Sequence, residues 1–152
     1  MLRFLTILIS FAMTSGCTKY ENQNKYFSNK GQAAIAFFIE NKSKIESLSS
    51  QQEMLGWVLD CGDKGYSYTN YVIGSLSNPV RPSEVYKRDC KVGEFLHTHP
   101  RTRGSVDYFS EGDIQVAKWR GIYLFTTEKY YVRFHNGTQD RYGDVIANIR
   151  FK

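Results

Sequence analysis

Val92-Gly93-Glu94-Phe95-Leu96-His97-Thr98-His99-Pro100 reads as a β-strand carried to a proline stop. Its first five residues are mostly apolar or β-favouring, and Pro100 closes the run by removing a backbone donor. Side chains alternate faces in an extended chain, so His97 and His99 point the same way with their Cα atoms about 7 Å apart, and Glu94 falls on the opposite face. Two imidazoles at the end of a strand form a ligand pair for one metal ion. A carboxylate follows in Phe109-Ser110-Glu111-Gly112-Asp113, where a helix opening at Ser110 would carry Asp113 as a third ligand. Three protein ligands with a fourth position left for water is the arrangement of a catalytic zinc.

The same residues have a plainer reading. Ser110 as N-cap with Asp113 at N3 is close to a capping box, and two histidines at a loop mouth can simply be solvated. The chain has 3 histidines in all, and two of them at i and i+2 beside a proline favour the metal. Asp107, in the same loop, is the alternative third ligand. Cys90 lies seven residues before His97, but it has no Cys-x-x-Cys partner and is a weaker candidate.

Working outward, Asn29 caps a helix with Gln32 at N3, and Ala34, Phe38, Ile45 and Leu48 recur at helical spacing to near Ser49. Leu55 to Cys61 and Tyr66 to Ile73 read as two strands joined through Gly62-Asp63-Lys64-Gly65. Ser75 to Asp89, with Pro79 and Pro82, is a loop long enough to cover a site. A helix from about Ser110 to Arg120 is followed by strands at Ile122 to Thr126 and Tyr130 to His135. Asn136-Gly137 favours a tight turn into a last strand within Asp140 to Phe151. The eleven tyrosines fit half-buried strands, and some could line a groove for peptide or sugar. The expected class is α+β with a mixed sheet.

His97-x-His99-Pro100, a loop, then Ser110-x-x-Asp113, together with Glu53-Met54-Leu55-Gly56-Trp57-Val58 upstream, resembles the JAB/MPN, or JAMM, zinc metallopeptidase motif. The tyrosine-rich strands with HTHP and FSxxD look most like the JAB-like branch associated with RHS-type toxin proteins. The resemblance runs from Glu53 to the end of the helix after Asp113, and the loop between His99 and Asp113 is longer than is usual in that family. It implies a mixed β-sheet sandwiched by helices, of cytidine-deaminase-like architecture. It also implies Zn2+ on His97, His99 and Asp113, Glu53 as general acid/base, and Ser110 as an aid to the oxyanion. The bland alternative for Glu53 is a surface glutamate at the end of the preceding helix. Glu94 is a rival base by proximity, disfavoured by its parity.

The N-terminus reads as an export signal. Met1-Leu2-Arg3 is a short positive region, Phe4 to Met13 is an apolar run, and Thr14-Ser15-Gly16-Cys17 supplies small residues at a processing point. The run is too short to span a bilayer of ~30 Å. Ser-Gly-Cys resembles a bacterial lipobox, with Cys17 as the lipidated residue, so residues 1–16 are read as a signal peptide, 17–28 as lipidated cysteine and tether, and 29–152 as the domain. A periplasmic or outer-membrane lipoprotein, held to the membrane by its lipid, is the expected location. Cys61 and Cys90 then remain as a pair in an oxidising compartment and are expected to form a disulfide, which would stabilise by roughly 3 kcal/mol through loop closure.

With 152 residues and 41% hydrophobic content, the chain has the size and composition of one compact domain. The formal charge of +5 is scattered, with Lys87-Arg88 and Arg101-Thr102-Arg103 as its local clusters, so no specific nucleic-acid partner is expected. Arg101 and Arg103 flank the histidines and read as solvated loop charges, with contact to a substrate carboxylate as the alternative. Asn136-Gly137-Thr138 matches a glycosylation sequon, for which the turn reading is preferred. Two function classes follow. One is a zinc-dependent hydrolase of amide bonds, acting on peptide, isopeptide or peptidoglycan substrates. The other is a non-catalytic envelope lipoprotein that binds a protein partner.

Overall fold

The computed structural model describes residues 25–75, 89–101 and 107–151. The expected signal region, Cys17, most of the Ser75 to Asp89 loop and Arg103 lie outside the described residues. Helix α1 spans Lys30–Glu46 and is followed by β1 Gln52–Asp60, β2 Tyr66–Tyr68, β3 Val72–Ser75, β4 Lys91–Thr98, α2 Glu111–Arg120, β5 Ile122–Thr126, β6 Tyr131–His135 and β7 Asp144–Asn148. The strands form one seven-stranded sheet in the order β2-β1-β4-β5-β6-β7, with β3 beside β2 on the same edge of β1. β4 and β5 are parallel, joined through α2, and the other pairs are antiparallel. This is a mixed α+β fold.

Asn29 starts α1 as expected, its side chain accepting from the Gln32 N–H at 2.9 Å. One face of α1 buries Ala33, Ala34, Phe37, Phe38 and Ile45 against Met54, Val58, Leu96, Tyr123 and Phe125. Full burial of each phenylalanine contributes about 1.5–3 kcal/mol, so this cluster dominates the stability of the domain. Gly56 lets the helix come this close. A Cβ there would lie 2.9 Å from the Phe37 ring. The other face of the sheet carries a smaller cluster of Phe109, Ala117, Ile122 and Leu124, with Phe95 against it.

Alternation along β4 separates the two faces. Leu96 joins the α1 core, while Phe95 and His97 lie on the α2 side. Glu94 is on the α1 face, as its parity requires, and pairs with Lys30 Nζ at 2.5 Å. The hydrogen bond to Glu94 raises the Lys30 pKa against the opposing effect of burial.

Three local expectations are corrected. The run Tyr66 to Ile73 is two strands, because the Thr69 hydroxyl accepts from the Trp57 N–H at 2.9 Å and takes the place of a ladder bond, ending β2. Asn136-Gly137 is not a two-residue turn. The Asn136 side chain accepts from Thr138 N and Oγ1, and Asp140 accepts from Tyr142 N, so these local bonds stabilise a longer connection reaching β7 at Asp144. Finally, the end of the expected tether belongs to the domain. Phe27 exchanges two backbone hydrogen bonds with Tyr66 and stacks on Tyr68.

Cys61 and Cys90 form the expected disulfide. They sit one step beyond the Asp60 to Lys91 pairing and tie the end of β1 to the start of β4. No helix among the described residues is long and apolar enough to cross a membrane.

Candidate metal centre

The parallel register of β4 on β5 places His97 opposite Leu124, and the ring nitrogen Nδ1 of His97 lies 3.1 Å from the carbonyl oxygen of Tyr123. Donation from Nδ1–H to that carbonyl leaves Nε2 as the ligand atom, which is how metal-binding histidines are commonly oriented. His99 follows just past the strand, and its Nε2 lies 2.9 Å from His97 Nε2. From the other side, α2 begins at Ser110 and brings Asp113 down its first turn. Asp113 Oδ2 is 2.9 Å from His99 Nε2, and Oδ1 is 3.3 Å from His97 Nε2. Both imidazoles are buried.

Asp113 belongs both to the capping box and to the candidate donor set. Ser110 Oγ accepts from Asp113 N at 3.3 Å, while Ser110 N and Oγ both donate to Asp113 Oδ2 at 2.7 Å. These bonds orient the carboxylate toward the histidines, so the plainer reading and the metal reading coincide here.

Electrostatics follow the geometry. Burial alone would push the Asp113 carboxyl up, but the charge and hydrogen bonds of His97, with those of His99, outweigh it and hold Asp113 well below the usual carboxylate range. Burial likewise works against a charged His97 ring. Asp113, by charge and hydrogen bond, the Glu53 charge and the Tyr123 carbonyl together raise it.

Two imidazole nitrogens 2.9 Å apart cannot both present bare lone pairs to each other. Either a proton or a cation lies between them. Zinc bonds of 2.0–2.1 Å to nitrogen set a tetrahedral edge of about 3.3 Å. The contacts of 2.9 and 3.3 Å are close to that edge, so the donor set can bind a metal ion and is compatible with zinc. It is the one candidate metal group among the described residues.

The other candidates are placed as follows. Glu53 lies on β1, which pairs directly with β4, and the Leu55 to His97 register continued by two residues sets Glu53 across from His99 on the same face. Its charge acts on His97. Its side chain also passes Gly74, where a Cβ would be 3.7 Å from Glu53 Oε1. Asp107 is turned away, pairing with Lys129 at 3.2 Å. Glu94 is on the far face, and Arg101 donates to the Glu46 carbonyl at the end of α1. Cys90 is in the disulfide. Two supports were not visible from local sequence. They are the Tyr123 carbonyl, whose role depends on strand register, and Phe109, whose ring packs between His97 and His135.

No protein-family model, curated protein or solved structure matches this chain.

Proposed function

We propose that this chain is a zinc-dependent amide-bond hydrolase with a JAB/MPN-type fold, exported to the bacterial envelope. The observation that carries the reading is the pinning of His97 by the Tyr123 carbonyl, which aims Nε2 at His99 and at a carboxylate that Ser110 holds in place. His97, His99 and Asp113 are the ligands. When bound there, zinc supplies a water of lowered pKa and polarises the scissile carbonyl. Glu53 takes the proton of the attacking water and returns it to the leaving amine, the work of a general base within reach of the ligands. Ser110 keeps Asp113 oriented and, on turning its hydroxyl, donates to the oxyanion. The disulfide and the signal-like N-terminus support export, and peptide, isopeptide or peptidoglycan cross-links are the substrate classes in that location.

The test combines metal content with turnover. Purified wild type should carry about one zinc per chain, and His99→Ala should lose it. Asp113→Ala should lose it as well, and Asp107→Ala should not. Isopeptide-linked and cell-wall-derived peptides should be cleaved by wild type and spared by His97→Ala or with chelator. Glu53→Gln should retain zinc while its rate falls by on the order of 10²–10⁴. Zinc content unchanged in His99→Ala would sink the metal assignment. Full zinc with no cleavage of any such peptide would replace the hydrolase by the non-catalytic binding lipoprotein.

A further inference from the structure

On the His97 face of the sheet a line of flat groups leads away from the candidate metal centre. The His97 ring stacks on Phe95 with centroids 5.5 Å apart, and Phe95 meets Trp57 at 4.8 Å. The guanidinium carbon of Arg120, at the last residue of α2, lies 5.0 Å from the Trp57 ring and 4.2 Å from that of Trp119. Phe95 and Trp57 are direct partners in the β1–β4 register, so they share this face. Trp119 is 77% exposed, which is unusual for a tryptophan with nothing to bind.

Arg120 is one of the described residues with an unsatisfied donor. Its Nε is buried and has no hydrogen-bond acceptor, and among the described residues no carboxylate pairs with its guanidinium. A guanidinium with its faces against indoles still has its in-plane N–H groups for hydrogen bonding, and these match a carboxylate in a bidentate fork. The favourable placement of a cation at a helix C-terminus accounts for the charge, but not for the stacking on two indoles or the unmet donor.

We propose that Arg120, with Trp57 and Trp119, is a carboxylate-recognition subsite, so that the ligand taken along this face is a peptide bearing a free carboxylate. This rests on the hydrolase reading for its link to catalysis, because two ring-to-ring contacts and one guanidinium-to-ring contact connect it to His97. An extended peptide rises about 3.3 Å per residue, so the recognised carboxylate lies within about five residues of the bond at the metal centre. The guanidinium fixes the charged end of that chain.

The chain contains 2 tryptophans, and both contact Arg120, so intrinsic fluorescence reports this subsite without a label. Three probes are titrated into the protein: N-acetyl tetra-alanine with a free C-terminal carboxylate, the same peptide as its C-terminal amide, and that amide with one glutamate in place of an alanine. The first and third should give saturable fluorescence changes, weakened by added salt, and the second should not. Which of the two binds more tightly distinguishes a main-chain from a side-chain carboxylate. Arg120→Lys should weaken binding roughly tenfold, because charge remains and the fork is lost, and Arg120→Gln should abolish it. Titration calorimetry on the same variants guards against a substitution that merely changes the emission. Binding equal in wild type and Arg120→Gln, equal binding of the neutral amide, or no saturation at millimolar peptide each overturns the proposal. Carboxylate binding in a wild-type protein found to carry no zinc would defeat the hydrolase reading and leave this subsite standing.

Discussion

Adding zinc should raise the melting temperature of the wild-type domain sharply, and His99→Ala should remove most of that rise. A ligand that binds only the folded state stabilises it by RT ln(1 + [L]/Kd), about 4 kcal/mol when free zinc is 1,000 times Kd. Unfolding entropy is about 2.1 cal/mol/K per residue, or roughly 0.25 kcal/mol/K for a domain of about 120 residues, so the rise is about 16 °C. His99 supplies the nitrogen 2.9 Å from both His97 Nε2 and Asp113 Oδ2, so removing it leaves two ligands that cannot enclose the ion. The zinc-dependent rise should fall below about 4 °C, although the metal-free melting point changes by only the ordinary amount for one buried side chain. Asp113→Asn separates the second role of that residue. Its side-chain oxygen can still accept from Ser110 N, so the helix cap, worth about 1 kcal/mol or ~4 °C, is largely kept while the charge on the metal is lost. Differential scanning calorimetry with chelator and with buffered zinc gives both numbers for each variant. An equal zinc-dependent rise in wild type and His99→Ala, or none in wild type at millimolar zinc, would refute the site.

Other outcomes follow from the same structure. Without metal, the raised His97 pKa stabilises the fold fully below its unfolded value of 6.5 and less as pH rises through the folded value, while the depressed Asp113 stabilises above 3.8 and is lost on acidification. Metal-free stability in urea titrations should therefore peak between about pH 4 and 6.5 and decline toward alkaline pH, whereas the zinc increment should grow from pH 5 to 8 as ligands give up protons. A flat metal-free profile would contradict the His97–Asp113 coupling. Reducing Cys61–Cys90 should cost roughly 3 kcal/mol, a fall of about 12 °C, and calorimetry with and without reductant measures it. Gly56→Ala should destabilise by about 1–3 kcal/mol, because the new methyl meets the Phe37 ring, while zinc per chain stays unchanged by elemental analysis.

Much of the site was legible from short-range chemistry. The i, i+2 histidines share a face because strand geometry alternates, Asn29 and Ser110 cap helices through bonds that span three residues, and the parity of Glu94 sends it to the α1 side. Each of these depends on neighbours within one turn or two pleats, where sequence alone determines the outcome. Only the tertiary structure decided the rest. Whether Asp113 or Asp107 meets the histidines depended on how α2 returns over the parallel β4–β5 pair, and the Glu53 charge acts on His97 because β1 pairs with β4 across a separation that no local pattern encodes. The Tyr123 carbonyl became a histidine anchor through strand register, and the Thr69 hydroxyl broke a continuous β-pattern by competing for a backbone donor. Periodicity tells a residue which side of its own element it occupies. Which elements become neighbours is set by the collective burial of two apolar faces, and that is where the candidate ligands, Glu53 and the arginine stack were brought together.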